Sequence, residues 1–319
     1  MGGVAPRSLP LWLALVFVLV CGALVAIQTR INGALGSRLG DGFTAAAISF
    51  GSGLVILAVA LAVAPAGRRG LAQVGAAVRA GELRWWYVLG GVAGSFLVLA
   101  QGLTAATLGV ALFTVAVVAG QTISGLVLDR VGIGPGGRRP LTAARLVGAL
   151  LALVAVTWAV SAQFGGSAPV WMMVLPLLAG LGTGWQQAVN GRVRIVAASA
   201  ISATFINFAA GTIVLVVLML AHWMLVGLPK QLPPDPWLYV GGAMGCIFIG
   251  VTAYLVRITG VLLLGLATVA GQLLAALLLD LLLPTSGHVL AFSTVGGTLL
   301  AIVAVVIAGV RWSFRRRPA

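Results

Sequence analysis

What most limits this chain is a succession of apolar runs, each about as long as a bilayer is thick. A membrane-crossing helix needs about 20 mostly apolar residues. Runs of that kind fall at 11–34, 44–64, 85–104, 109–128, 141–161, 170–190, 200–225, 237–256, 260–283 and 289–310. Ten such spans consume most of the 319 residues and leave no room for a separate soluble domain. With 61% of residues apolar and 8% charged, the chain cannot present a water-solvated surface, so an all-α integral membrane protein is expected. The first run resembles a signal peptide but lacks a small-x-small cleavage site, and it is read as a retained span.

Nineteen Lys plus Arg against five acids raises the question of a nucleic-acid partner, which position answers. The basic residues lie mainly in the short connections, where they set membrane orientation and meet anionic headgroups. Under the ten-span reading sixteen fall on one side, and only Arg30, Arg38 and Lys230 on the other. That excess predicts both termini in the cytoplasm of a cell whose inner (plasma) membrane holds the protein, with no nucleic acid bound. The stretch from Arg68 to Arg84 is the longest polar one, and 71–80 within it reads as a short interfacial helix.

The chain also repeats itself. A shift of 158 places Gln28 on Gln186, Asn32-Gly33 on Asn190-Gly191, Phe50 on Phe208 and Gly53 on Gly211. A shift of 151 places Gly90-Gly91 on Gly241-Gly242, Gly94 on Gly245, Gly109-Val110 on Gly260-Val261, Gly120-Gln121 on Gly271-Gln272 and Leu128-Asp129 on Leu279-Asp280. Order is kept and only loop lengths change, which divides the chain into 1–164 and 165–319. Five spans per half is an odd number, so the expectation is ten transmembrane helices as two inverted five-helix repeats. That arrangement underlies alternating access in many secondary transporters. The alternative is a duplicated membrane protein that transports nothing.

Polar side chains at membrane depth face a cavity or another helix. Gln28 and Asn32 share a helix face, as do their mates Gln186 and Asn190, and Gln121 with Gln272 adds a third matched pair. These six are the substrate-cavity candidates; the other reading is that the amides merely bond neighbouring helices. Gly90 with Gly94, and Gly241 with Gly245, have the small-xxx-small spacing of close helix packing. Pro176, with Gly180, Gly182 and Gly184, marks a potential kink. None of the five acids sits at the centre of a span; Asp129 and Asp280, which close matched spans, are the candidates for ion coupling, with an interfacial ion pair or helix-end role the rival for Asp129. Cys21, Cys246, His222 and His288 form no metal-ligand spacing, and no nucleophile or carboxylate cluster points to an enzyme or a cofactor.

The residues Gln28-x-x-x-Asn32-Gly33, Ala46-Ala47-Ile48-Ser49-Phe50-Gly51-x-Gly53, Gly90-Gly91-x-x-Gly94 and Ala119-Gly120-Gln121, leading to Leu128-Asp129-Arg130-Val131-Gly132, resemble the YdcZ family of inner-membrane proteins in the drug/metabolite transporter superfamily. The second half repeats the pattern, so the chain resembles a fused pair of single five-helix units. The resemblance implies a transporter fold with a cavity between the halves that exports a small metabolite, as a monomer or homodimer among membrane lipids. It carries over no established site residue. The first helix lacks the glutamate of the small multidrug-resistance branch. A lipid or lipid-linked-sugar flippase and a non-transporting membrane subunit are the other readings.

Overall fold

The computed structural model describes residues 9–159, 161, 170–229, 231–282 and 292–309, and among these the regular structure is all helical. In order the helices are α1 (Leu11–Leu39), α2 (Gly42–Val63), α3 (Pro65–Arg79), α4 (Gly90–Val131), α5 (Ala143–Ala159), α6 (Val174–Ala197), α7 (Ala200–Val226), α8 (Gly241–Thr259), α9 (Val261–Leu282) and α10 (Phe292–Gly309). Short 3₁₀ turns precede α4, α6 and α8 at Trp85–Leu89, Val170–Met173 and Pro236–Tyr239.

This corrects the expected ten spans in two inverted five-helix repeats. Among the described residues six helices are long and apolar enough to cross a membrane: Leu11–Leu39, Gly42–Val63, the Phe113–Val131 part of α4, Ala200–Val226, Pro236–Thr259 and Phe292–Gly309. The apolar helical stretches Trp85–Ala100, Ala143–Ala159 and Val261–Ala275 are shorter. The runs 85–104 and 109–128, expected as two spans, lie largely in the single 42-residue helix α4. At 1.5 Å per residue α4 is roughly 63 Å long, about twice a hydrocarbon core. No proline interrupts it, and nothing between Gln101 and Leu112 stops the backbone ladder. Without five spans in each half, the odd-number argument for opposite orientation loses its premise.

Helix ends follow local chemistry. Gly40, at φ 66°, ends α1 in the left-handed region that glycine tolerates, and Asp41 then caps α2 by accepting from the Phe43 and Thr44 N–H groups. Ser199 caps α7 in the same way through Ser202 N. Pro65 opens α3, and Pro176 sits in the first turn of α6, where the missing N–H costs nothing. Pro176 thus removes no hydrogen bond from the interior of α6, and the surface helix expected at 71–80 starts earlier, at Pro65.

In the packed structure α4 lies along α6, α5 against α10, α1 between α8 and α9, and α2 against α7. The largest buried cluster joins α1, α4, α5, α6, α8, α9 and α10 through small and aliphatic residues such as Ala14, Val18, Ala152, Ala188, Val256, Leu264 and Ala304. Large apolar side chains point outward instead of inward on several helices: Val55, Val59 and Val63 of α2, and Ile213, Val217 and Met224 of α7, the last 83% exposed. A face so apolar is solvated by lipid, as expected of a multi-pass helical membrane protein.

Candidate functional site

Two amide clusters lie on glycine-lined helix starts. In the first, Gln28 Nε2 donates to Gly241 O at 2.9 Å. A methyl group on Gly245 would stand 2.8 Å from the same Nε2, and one on Gly241 would strike Asn32 Oδ1. Ser49 Oγ, from α2, lies 3.1 Å from that position. In the second, Gln186 Nε2 and Asn190 Nδ2 both donate to Asn207 Oδ1 at 2.9 Å. Here Gly94 and Gly90 of α4 make the room, a methyl on Gly94 falling 2.9 Å from Gln186 Nε2. Each pair of amides thus leans on a helix from the other part of the chain, and the glycines admit it because they have no side chain.

Sequence reading missed two members. Ser49 and Asn207 are mates at the shift of 158, and both are buried, at 4% and 1% exposure. A polar residue repeated inside an apolar run was the available signal. The mates differ in effect. Asn207 Oδ1 gathers both amides of its cluster and leaves Nδ2 without a partner, whereas Ser49 Oγ and Asn32 Oδ1 are both buried and unpaired. Gln187, beside Gln186, is 5% exposed with neither side-chain polar atom bonded. Buried polar atoms of this kind are costly unless something supplies the missing bond.

The third pair sits at further close crossings. Gly180 of α6 packs on the backbone of α4 at Val117 and Gln121, and Gly22 of α1 packs on α9 at Thr268 and Gln272. The Gln121 side chain is buried against Gly265 of α9, whose added methyl would lie 3.1 Å from Nε2. Gln272 is half-buried.

Asp129 is engaged at a helix end. Its Oδ1 accepts from Val261 N at 2.8 Å and its Oδ2 from Leu262 N at 3.2 Å, which caps α9, and it pairs with Arg145. The neighbouring Arg130 is exposed. The side chain of Asp280 lies outside the described residues. Around Asp129 the α4–α5 connection is fastened to other helices: Arg139 Nη2 donates to Ile258 O at 2.8 Å, and Arg192 Nε donates to Ile133 O at 3.0 Å.

At another helix end Asp41, Thr44 and Trp223 form a polar knot. The Thr44 hydroxyl donates to Asp41, and Trp223 Nε1 donates to Thr44 Oγ1 at 2.8 Å. His222 Nε2 stands 3.8 Å from Asp41 Oδ1. Burial pushes the Asp41 carboxyl up, but hydrogen bonds from Thr44 and Phe43 and the nearby His222 more than offset this and hold it below its ordinary value. Beside the knot a cleft of about 540 Å³ opens between α2 and α7, lined by Ala47, Ile48, Val216, Met219, Trp223 and Leu232 among others. Among the described residues no three His, Cys, Asp or Glu side chains gather as a metal site would require.

A family model described as "Putative inner membrane exporter, YdcZ" matches residues 13–158 and again 171–307. No curated protein matches the chain. A protein of known crystal structure aligns over 93% of this chain and 95% of its own at a TM-score of 0.62 and 19% identity, which shows a shared fold and nothing finer. Two successive matches to one family model over nearly the whole length place the chain in the YdcZ family of the drug/metabolite transporter superfamily, whose members are membrane transporters and not enzymes.

Proposed function

We propose that the protein carries a small metabolite outward across the inner membrane by alternating access, the parts on either side of residues 164 and 165 rocking against one another. The observation that carries this reading is the matched pair of amide clusters, Gln28 with Asn32 of α1 against α8 and Gln186 with Asn190 of α6 against α4, each at a contact between the two parts of the chain. Contacts that must form and break in transport need low friction and no buried charge. Glycine seams with neutral amides meet both needs, because their donors and acceptors can be exchanged for those of a solute. Gln28, Asn32, Gln121, Gln186, Asn190 and Gln272 are the residues assigned to the solute path, with both termini on the cytoplasmic, arginine-rich side.

The test is uptake and efflux of a labelled metabolite panel in proteoliposomes, comparing the parent with a Gln28→Ala, Gln186→Ala double variant of verified folding. Saturable movement of one compound is expected. The double variant should lose at least about tenfold in rate, the worth of one or two hydrogen bonds. A variant that transports as the parent does would remove the amides from the path. If no compound moves under any gradient, metabolite transport is refuted.

One observation favours a second reading. The cleft between α2 and α7 is mostly apolar and lies beside outward-facing Met224 and Leu228, as a lipid flippase would require. Transbilayer movement of a labelled phospholipid in the same vesicles separates the two.

A further inference from the structure

The surface helix α3 has no counterpart in the second half of the chain. Where α2 leads through Pro65–Arg79 to α4, α7 leads to α8 through residues 227–235, in which Gly227, Pro229, Pro233 and Pro234 leave no helix among the described residues. One face of α3 is buried: Gly67, Gly70, Val74 and Ala77 pack on α6 and α7, and Ser202 Oγ donates to Gly67 O at 2.7 Å. The opposite face carries Arg69 and Arg79, about 15 Å apart along the helix axis, and the chain then exposes Arg84 and Trp85, the latter 66% exposed.

These arginines differ from those with internal work. Arg145 pairs with Asp129, Arg38 pairs with Asp235, and Arg139, Arg192 and Arg68 donate to backbone carbonyls. Arg69, Arg79 and Arg84 have no acidic partner among the described residues, and Glu82 is the one carboxylate in the segment. A helix packed beside the α6–α7 turn, basic outward and followed by an exposed tryptophan, is complementary to an anionic membrane surface.

We infer that α3, with Arg84 and Trp85, is a binding surface for anionic phospholipid headgroups. Arg69, Arg79 and Arg84 meet the phosphates, and Trp85 seats in the interfacial layer. Because Gly67 is bonded to Ser202 in the first turn of α7, lipid held on α3 also steadies the α6–α7 turn. The inference rests on membrane embedding and stands whatever the solute.

The full chain is reconstituted in discs containing equal parts phosphatidylglycerol and phosphatidylcholine, and the lipid retained after detergent extraction is identified by native mass spectrometry. Parent protein should enrich phosphatidylglycerol, less so as salt rises from about 0.05 to about 0.5 M. The R69Q/R79Q/R84Q variant should lose about tenfold or more of that enrichment, at several-fold per arginine, while R130Q, altered at an exposed arginine elsewhere, should retain it. Should the glutamine variant not fold, R69K/R79K/R84K keeps the charge and should keep the lipid. Equal enrichment in parent and glutamine variant, loss of enrichment in the folded lysine variant, or complete displacement by inorganic phosphate would each overturn the assignment.

Discussion

Gly109-Val110 and Gly260-Val261 occupy the same place in the two halves of the sequence, yet the backbone treats them oppositely. At Gly260 the helix stops: φ is 81° and ψ 171°, a region open almost only to glycine, and α9 begins at the next residue. At Gly109 α4 runs on without interruption. The Gly-Val pair is shared, but Arg257-Ile258-Thr259 stands where the first half has Ala106-Thr107-Leu108, and tertiary contacts hold the break open. The break after α8 exposes the first N–H groups of α9, and Asp129, 132 residues earlier, supplies a carboxylate to two of them. Arg139 meets the carbonyls that α8 leaves free. A helix break is affordable inside a membrane protein where the freed backbone groups find partners, and here they do.

The strongest way to break this contrast is to remove its cap. Asp129→Ala strands Arg145, which is largely buried, and uncaps α9. It should cost about 3 kcal/mol, as loss of one member of a buried pair does, read as a fall in Tm of the detergent-solubilised protein. A change below about 1 kcal/mol would mean that the α8–α9 break holds itself. Gly260→Ala comes next, at about 1–3 kcal/mol, since alanine does not tolerate that backbone conformation. Its methyl would also lie 2.7 Å from Arg139 Nε and 2.8 Å from Asp129 Oδ2.

Asp41 is the local version of the same device, capping α2 from the adjoining residue. Its carboxyl is held below its ordinary value once burial is outweighed by the Thr44 and Phe43 hydrogen bonds and His222. A depressed folded pKa contributes stability above the unfolded pKa, and that stability is lost as pH falls through the folded value. The Tm advantage of the parent over Asp41→Asn should therefore be constant above about pH 5 and shrink below about pH 4. An advantage that persists through acid would assign the cap to geometry alone. Ser199, the mate that caps α7, titrates nowhere in this range, so Ser199→Ala should shift Tm equally at every pH.

The same contrast explains what the sequence could disclose. The lipid solvent, the surface helix and the paired glycines were legible because each is written in adjacent or regularly spaced residues. Gln28, Asn32, Gln186 and Asn190 were legible as positions, by repetition, but not as contacts. That each pair rests on Gly241 or Gly90 depends on which helices cross. Asp129 was visible as a polar residue closing a helix, with Arg130 its obvious partner in sequence; its actual partners are Arg145 and the start of α9. The division of 85–128 into two spans failed for a related reason. Hydropathy marks where a chain can leave water, and α4, which contains no proline, runs through both stretches as one helix.

Gly109→Ala is the mildest change and the sharpest test of the contrast. In an unbroken helix, replacing an interior glycine by alanine stabilises by about 0.5–1 kcal/mol, because alanine has less backbone freedom to lose. The substitution should therefore raise Tm slightly, opposite in sign to Gly260→Ala. If it instead lowers Tm by an amount like that at Gly260, the first half breaks where the second does. α4 would then be two helices, and the contrast between the halves would disappear.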